Sequence, residues 1–270
     1  MQCYKNGQLI DSIPLLDRAF HYGDGCFTTA RLVHGRMELK QLHIARLNYA
    51  CKNLSLDADL SYIEQALDQL SQHEKNLNGT LKVVISRGEG DRGYSLPLHP
   101  ADVYVWFYPK QWQHLEPEWI ESGLLNHAVG LHMPHLVGLK TLNRLEQVVL
   151  KQEADQRGWL EALVTDVQGY IVEGVSSNCF IRINDQWITP ELRYNGVHGV
   201  MRAHILSRMQ QNHISCEQRC IEMDQIAHIQ NIFFCNALHP MKAVVRFQGR
   251  TMQQQPYLDL FNSLKLSQID

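Results

Sequence analysis

The 270-residue sequence predicts a mixed α+β fold, and three observations carry that reading. Glycine turns follow asparagine or histidine at Asn6-Gly7 and His34-Gly35, each flanked by β-prone stretches. Ile44, Leu47, Cys51 and Leu54 then recur at helical spacing, so the period changes from two to 3.6. Along the rest of the chain strands and helices mix without regular βαβ alternation, which argues against a doubly wound parallel sheet. At roughly 150 residues per domain the length suits two domains.

Taken in order, Asn6-Gly7 marks a first hairpin. Residues 26–39 read as a second, Cys26 to Val33 and Arg36 to Leu39. The face Ile44, Leu47, Cys51, Leu54 gives one helix, and Ile63, Leu67, Leu70 a second. Residues 80–87 and 102–109, rich in Val, Ile, Tyr and Trp, read as strands. Residues 110–139, with Pro117 and Pro134, read as a connection plus one or two strands. A helix from Asn143 to Arg157 follows, with Leu145, Val148 and Val149 expected inward. Strands are expected at Ala162–Thr165, Tyr170–Val175 and Asn178–Ile188, turning at Gln168-Gly169 and Asn184-Asp185. Gly199 opens a helix to about Gln211, and residues 231–237 and 243–247 read as buried strands.

Composition narrows the function classes. The apolar fraction of 44% and charged fraction of 20% are those of a globular chain with a substantial core. A net charge of −3 argues against a general nucleic-acid binder but leaves room for one local anion site. No apolar run approaches the ~20 residues that span a bilayer. The first seven residues are too polar for a signal peptide. Seven cysteines with no C-x-x-C pair read as free thiols in a reducing cytoplasm.

Several motifs then compete for a chemical role. Gly88-Glu89-Gly90-Asp91-Arg92-Gly93 fits G-x-G-x-x-G after a strand, but no helix start follows and two carboxylates would repel phosphate. It reads as a glycine-rich turn presenting Arg92 and Tyr94, or as a long hairpin loop. His127, His132 and His135 lie in an irregular segment without one ligand spacing, so no metal is expected. Cys26 reads as a buried small residue. Lys140 follows an apolar stretch and precedes a helix; there it is either an ordinary lysine near a helix start or an amine desolvated for Schiff-base chemistry. Glu173, inside an apolar strand, needs a partner, either an arginine or a cationic heterocycle. Gly196 to Arg202 is a glycine-rich turn feeding a helix, either an anion site or a plain N-terminus.

Together these pieces resemble the fold-type IV family of pyridoxal 5′-phosphate (PLP) enzymes, which includes branched-chain aminotransferases, D-amino-acid transaminases and 4-amino-4-deoxychorismate lyases. The matching segments run from Asp17-Arg18-Ala19 and Tyr22-Gly23-Asp24-Gly25-Cys26-Phe27 through His43-Ile44-Ala45-Arg46-Leu47 and Lys140. They continue with Glu173-Gly174-Val175-Ser176-Ser177-Asn178 and Gly196 to Arg202. Gly25 to Arg31, Lys82 to Gly88 with Arg92 to Ser95, and Lys140 to Gln147 are most similar to the aminodeoxychorismate lyases. The resemblance implies two α+β domains, 1–112 and 113–270, the second carrying the PLP lysine. It further implies the cofactor at the domain interface, and a homodimer that acts on a small molecule and binds neither membrane nor nucleic acid.

It also implies roles. Lys140 corresponds to the lysine that binds PLP covalently, and Glu173 to the carboxylate beside the pyridine nitrogen. Arg46 corresponds to the phosphate arginine, Val200 and Met201 to the residues whose amides cap the phosphate, and Asn236 to a further phosphate contact. Phe27, Thr29 and Arg31 alternate along one strand and share the face turned to substrate in the family. Thr29 is a candidate catalytic hydroxyl. Arg92 and Tyr94 resemble the carboxylate-binding pair of D-amino-acid transaminases. The implied activity is conversion of aminodeoxychorismate to 4-aminobenzoate and pyruvate in folate biosynthesis. A transaminase of the same family and a catalytically silent binding protein are the alternatives.

Overall fold

The computed structural model describes residues 1–73 and 76–269. They divide into two units, Met1–Gln113 with Leu139–Asn143, and His114–Gly138 with Arg144–Ile269.

The first unit is built on turn chemistry and one antiparallel sheet. Asn6 (φ 50°) and Gly7 (φ 76°) join β1 (Gln2–Lys5) to β2 (Gln8–Ile10) in the left-handed conformation that two-residue hairpins need. A short helix, α1 (Arg18–Tyr22), is capped by the Asp17 carboxylate. His34 (φ 48°) and Gly35 (φ 76°) repeat the hairpin device between β3 (Gly25–Val33) and β4 (Arg36–Met37). Helices α2 (Lys40–Leu54) and α3 (Ser61–His73) and strands β5 (Gly79–Ser86) and β6 (Asp102–Pro109) follow. The sheet order is β2-β1-β6-β5-β3-β4, with every neighbouring pair antiparallel.

Register sorts this sheet into two faces. Cys26, Ala30 and Leu32 of β3 share a face with Leu81, Val83 and Ile85 of β5 and with Val103, Val105 and Phe107 of β6. All are buried, and α2 and α3 pack here through Leu47, Ile63 and Leu70. Each such aliphatic side chain contributes about 1.5–3 kcal/mol by leaving water. The helix α2 centres its buried face on His43, Leu47, Ala50 and Cys51, slightly rotated from the expected stripe. The opposite sheet face carries Phe27, Thr29, Lys82, Val84, Tyr104 and Trp106.

Leu139–Asn143 groups with the first unit, whereas the sequence reading assigns it to the second domain. Main-chain bonding is the reason: Phe27 N donates to Lys140 O (2.9 Å) and Leu142 N to Gly25 O (3.1 Å), so the segment runs on beside β3.

The second unit holds β7 (Glu118–Ser122), α4 (Leu145–Gln156), β8 (Leu163–Thr165), β9 (Ile171–Gly174), β10 (Asn178–Ile183), β11 (Gln186–Pro190) and α5 (Val200–Gln211). It continues with β12 (Cys216–Arg219), β13 (Asn231–Asn236), β14 (His239–Phe247), β15 (Arg250–Thr251) and α6 (Gln255–Ser263). Its main sheet runs β12-β11-β10-β13-β14-β15, with β7 parallel on β14, and β8 pairs with β9 alone. Cys179, Ile181, Ile232 and Phe234 fill its core. Among the described residues no helix is long and apolar enough to cross a membrane.

One expected face is reversed. Leu145, Val148 and Val149 of α4 are exposed, and Leu150, Glu153 and Ala154 are the buried positions. The helix carries a second small apolar stripe, Leu150 with Ala154, and it is drawn inward by the buried Glu153 carboxylate. That carboxylate accepts from Asn126 N (2.8 Å), His127 N (3.0 Å) and the Arg157 guanidinium (2.5 Å). These donors hold the Glu153 carboxyl well below the usual range, at about 2, against the opposing effect of burial.

Candidate active site

In the first unit the candidate residues assemble around β3. Lys140 Nζ lies 4.6 Å from the Phe27 ring centroid, and the bonding of its own carbonyl to Phe27 N fixes the lysine backbone. Thr29 pairs directly with Lys82 across β3 and β5, and Lys82 with Trp106 across β5 and β6. Lys82 Nζ stands 5.3 Å from the Phe27 centroid and 5.9 Å from that of Trp106. One sheet face thus presents an aromatic ring, a hydroxyl and two ammonium groups. Arg46, on α2, donates from Nη2 to Thr28 Oγ1 on the helix-facing side of the same strand.

Lys82 stands on this face although sequence reasoning gives it no role. Its strand alternation is legible, but its partnership with Thr29 depends on register between strands fifty residues apart.

Arg31 shares the strand face by alternation, yet its neighbours claim it. The guanidinium is buried, ion-paired with Glu38 (3.1 Å) and stacked on Trp112 (4.5 Å). These contacts hold the Arg31 guanidinium in a packing role within the first unit. Arg92 and Tyr94 are exposed. Their loop is anchored from α1: Gly93 N donates to Tyr22 Oη (3.0 Å), and Arg18 Nη1 to Gly93 O (2.9 Å). No helix follows Gly93, so the glycine pattern is a turn and lacks the helix end that a dinucleotide loop requires.

The second unit supplies a carboxylate and a helix start. Glu173 leaves β9 with Oε2 accepting from Val197 N (3.0 Å) and Asn178 Nδ2 (3.2 Å). Asn178 Nδ2 also donates to Val197 O (2.8 Å), so one amide ties the carboxylate to the glycine-rich turn. Asn178 is the second residue sequence reasoning passes over; its place in Glu173-Gly174-Val175-Ser176-Ser177-Asn178 is the signal. Gly199 is required there, since a Cβ would come within 1.9 Å of Asn178 Oδ1.

Gly199 is also the N-cap of α5, and no side chain caps that helix. The first amides, of Val200 and Met201, therefore end the helix without a protein acceptor of the usual capping kind. Arg202 secures the helix by donating to Pro190 O (2.8 Å) and Thr189 Oγ1 (3.2 Å). The first unit supplies a lysine amine and an arginine, and the second an uncapped helix start and a fixed carboxylate; these are residue types that suit the aldehyde, phosphate and ring nitrogen of PLP.

Asn236 is differently employed from the expectation. Its Oδ1 accepts from Leu238 N and His239 N (both 3.0 Å), and its Nδ2 donates to Ser177 Oγ (3.0 Å). The side chain thus closes the β13–β14 turn and braces the Ser177 loop instead of pointing its amide at an anion. His127 and His132 pair with Glu153 (2.6 Å) and Glu146 (3.5 Å), and Cys26 is buried.

Residues 25–247 match the model of the amino-transferase class IV family. The chain is 31% identical over 237 residues to an aminodeoxychorismate lyase of Vibrio harveyi, covering 86% of each. It is 24% identical to a D-alanine aminotransferase of Bacillus licheniformis, covering 93% of this chain and 90% of that one. The crystal structure of 4-amino-4-deoxychorismate lyase from Pseudomonas aeruginosa superposes with a TM-score of 0.86 at 29% identity, covering 97% of this chain and 98% of that one. With the family model matching residues 25–247, the chain belongs to the class IV aminotransferase family, whose enzymes work with pyridoxal 5′-phosphate.

Proposed function

We propose that this protein is a PLP-dependent 4-amino-4-deoxychorismate lyase, releasing 4-aminobenzoate and pyruvate. One observation carries the reading: the β3–β5–β6 face sets Thr29 and Lys82 side by side, next to Phe27 and Trp106. An unpaired hydroxyl or ammonium in an aliphatic pocket costs free energy, so this face suits a ring bearing oxygen and carboxylate groups better than a branched aliphatic side chain. The lyase relative at 31% identity supports the same choice.

When bound, PLP supplies an electron sink that draws the electrons of the breaking C–H bond into its ring. The chain's own residues do the rest. Arg46 and the start of α5 hold the phosphate. Glu173, fixed by Asn178 and Val197, keeps a proton on the pyridine nitrogen by opposite-charge stabilisation. The Lys140 amine takes the proton from the amine-bearing carbon. Lys82 pairs with a substrate carboxylate, and Thr29 donates a hydrogen bond to the substrate. The enolpyruvyl C–O bond breaks, the leaving enol takes up a proton as pyruvate, and the ring becomes aromatic. The atoms of the two products sum to the substrate, so no acceptor is consumed. Phe20, Leu15 and Leu16 stand exposed beside the loop that carries Leu98, joined to it through Gly90 N and Leu16 O (3.3 Å). An apolar surface of this kind suits a homodimer.

The test is product stoichiometry. Incubated with aminodeoxychorismate and no 2-oxo acid, the protein should release 4-aminobenzoate and pyruvate in equal amounts. Thr29→Val should lower kcat by about tenfold, the worth of one hydrogen bond, with cofactor binding unchanged. Turnover that demands a 2-oxo acid and leaves aminodeoxychorismate untouched would instead favour a transaminase, a reading to which the D-alanine aminotransferase likeness and the Arg92–Tyr94 loop lend support. Glu173→Gln, which keeps shape and removes charge, should retain PLP but lose about 100-fold in kcat, as roughly 2–3 kcal/mol of electrostatic stabilisation disappears. Near-normal turnover in that variant would show that another group sets the ring's protonation.

A further inference from the structure

Arg46 meets the sheet through a chain of two further side chains. It donates from Nη2 to Thr28 Oγ1, and the same oxygen lies 2.5 Å from His43 Nδ1. A guanidinium only donates, so the Thr28 hydroxyl accepts there and has one proton left to give. The hydroxyl thus links the guanidinium to the buried imidazole. His43 is 1% exposed and Thr28 0%. Burial, with the adjacent Arg46 charge, pushes the imidazole down to about 3, so it stays neutral and adds no second positive charge beside Arg46.

From this geometry we propose that Thr28 and His43 are positioning residues for the cofactor phosphate, acting through Arg46. The inference rests on the reading of Arg46 as the phosphate arginine. An arginine side chain has several torsions to immobilise, and each one fixed in advance removes an entropic cost from binding. Thr28 comes from β3 and His43 from α2, one turn before Arg46, so strand and helix together direct the guanidinium plane. The choice of a neutral hydroxyl matters as well. A carboxylate at position 28 would neutralise the guanidinium and compete with phosphate for it, whereas a threonine orients the guanidinium without countering its charge. Thr28 lies on the opposite side of the strand from Phe27 and Thr29, so it acts on cofactor binding separately from the substrate face.

The experiment titrates the cofactor-free protein with PLP and, in parallel, with pyridoxal, which lacks the phosphate. Thr28→Val should weaken PLP binding by about tenfold, the value of a hydrogen bond to a charged group, and change pyridoxal binding by less than about twofold. Thr28→Ser restores the hydroxyl and should restore the wild-type preference for PLP. His43→Leu, which fills the buried site but removes the hydrogen-bond partner of Thr28, should reduce the preference by about threefold. Equal weakening of PLP and pyridoxal in both Thr28→Val and His43→Leu would mean a merely structural role and overturn the proposal, as would an unaltered preference in the two variants. Arg46→Gln separates the two levels of the argument. If it abolishes the preference while Thr28→Val and His43→Leu keep it, only the positioning role falls. If Arg46→Gln keeps the preference, Arg46 is not the phosphate arginine, and the positioning role falls with it.

Discussion

Replacing Lys140 with alanine is expected to lower turnover by about 10⁴-fold or more while leaving the fold intact. The size follows from the two tasks of one amine. Removing a general base costs up to about 10⁴-fold, and in the proposed reaction the same group also carries the cofactor covalently. The small structural effect follows from what holds the segment. Phe27 N donates to the backbone carbonyl of residue 140, and Leu142 N to Gly25 O, and both bonds survive the substitution. The Lys140 ammonium lies 4.6 Å from the Phe27 ring centroid, a contact worth about 0.5–1 kcal/mol. With the backbone bonds kept, thermal unfolding should shift by a few degrees at most. Borohydride reduction and peptide mapping should place PLP on the peptide containing Lys140 in the wild type and find no adduct in the variant. An adduct at Lys82, the other ammonium on that face, would transfer the role to the neighbouring strand.

How much of this is legible in the sequence depends on whether a feature is local. The hairpins at Asn6-Gly7 and His34-Gly35 are legible because consecutive residues with positive φ leave a compositional mark. Helix α3 is legible because Ile63, Leu67 and Leu70 form one apolar stripe with polar residues elsewhere. Helix α4 is misread because it has two stripes, and periodicity does not say which one meets a core. The buried Glu153 that decides it reads in sequence as a surface charge. Strand β12, Cys-Glu-Gln-Arg, has no apolar alternation and exists as an edge paired parallel to β11. The C-terminal helix α6 is likewise passed over, although Tyr257, Leu260 and Phe261 are buried. At the candidate site Lys140, Glu173 and Gly199 stand in recognisable runs. The fates of Arg31 and Asn236 are set by partners that only the fold supplies: Glu38 and Trp112 for one, Ser177 and the 238–239 amides for the other.

Glu161 should be the most sensitive structural position in the second unit, and no sequence motif marks it. Its side chain is fully buried and accepts from Ser176 N (3.1 Å), from the Ser176 hydroxyl and from Ser177 Oγ (2.7 Å). Lys242 Nζ, itself buried, lies 3.6 Å away. Glu161→Gln removes the charge and leaves the Lys242 ammonium in the core without its counter-ion. Breaking a buried pair from one side costs about 3–5 kcal/mol, most of it the desolvation of the stranded partner. The expected result is a large drop in the denaturant midpoint, together with faster amide exchange in peptides from 161–183. Glu161→Gln combined with Lys242→Met takes out both charges and should recover more than half of the loss, because the stranded ammonium is gone. If the double variant is as unstable as the sum of the two singles, the pair is not coupled and the serine bonds alone account for the effect. The same network links stability to chemistry. Ser177 also receives the Asn236 amide, and residues 173–178 carry both Glu173 and Asn178. A loosened Glu161 should therefore let the Glu173 carboxylate wander from Val197 N, lowering kcat in the surviving folded protein in the same direction as Glu173→Gln but by a smaller factor.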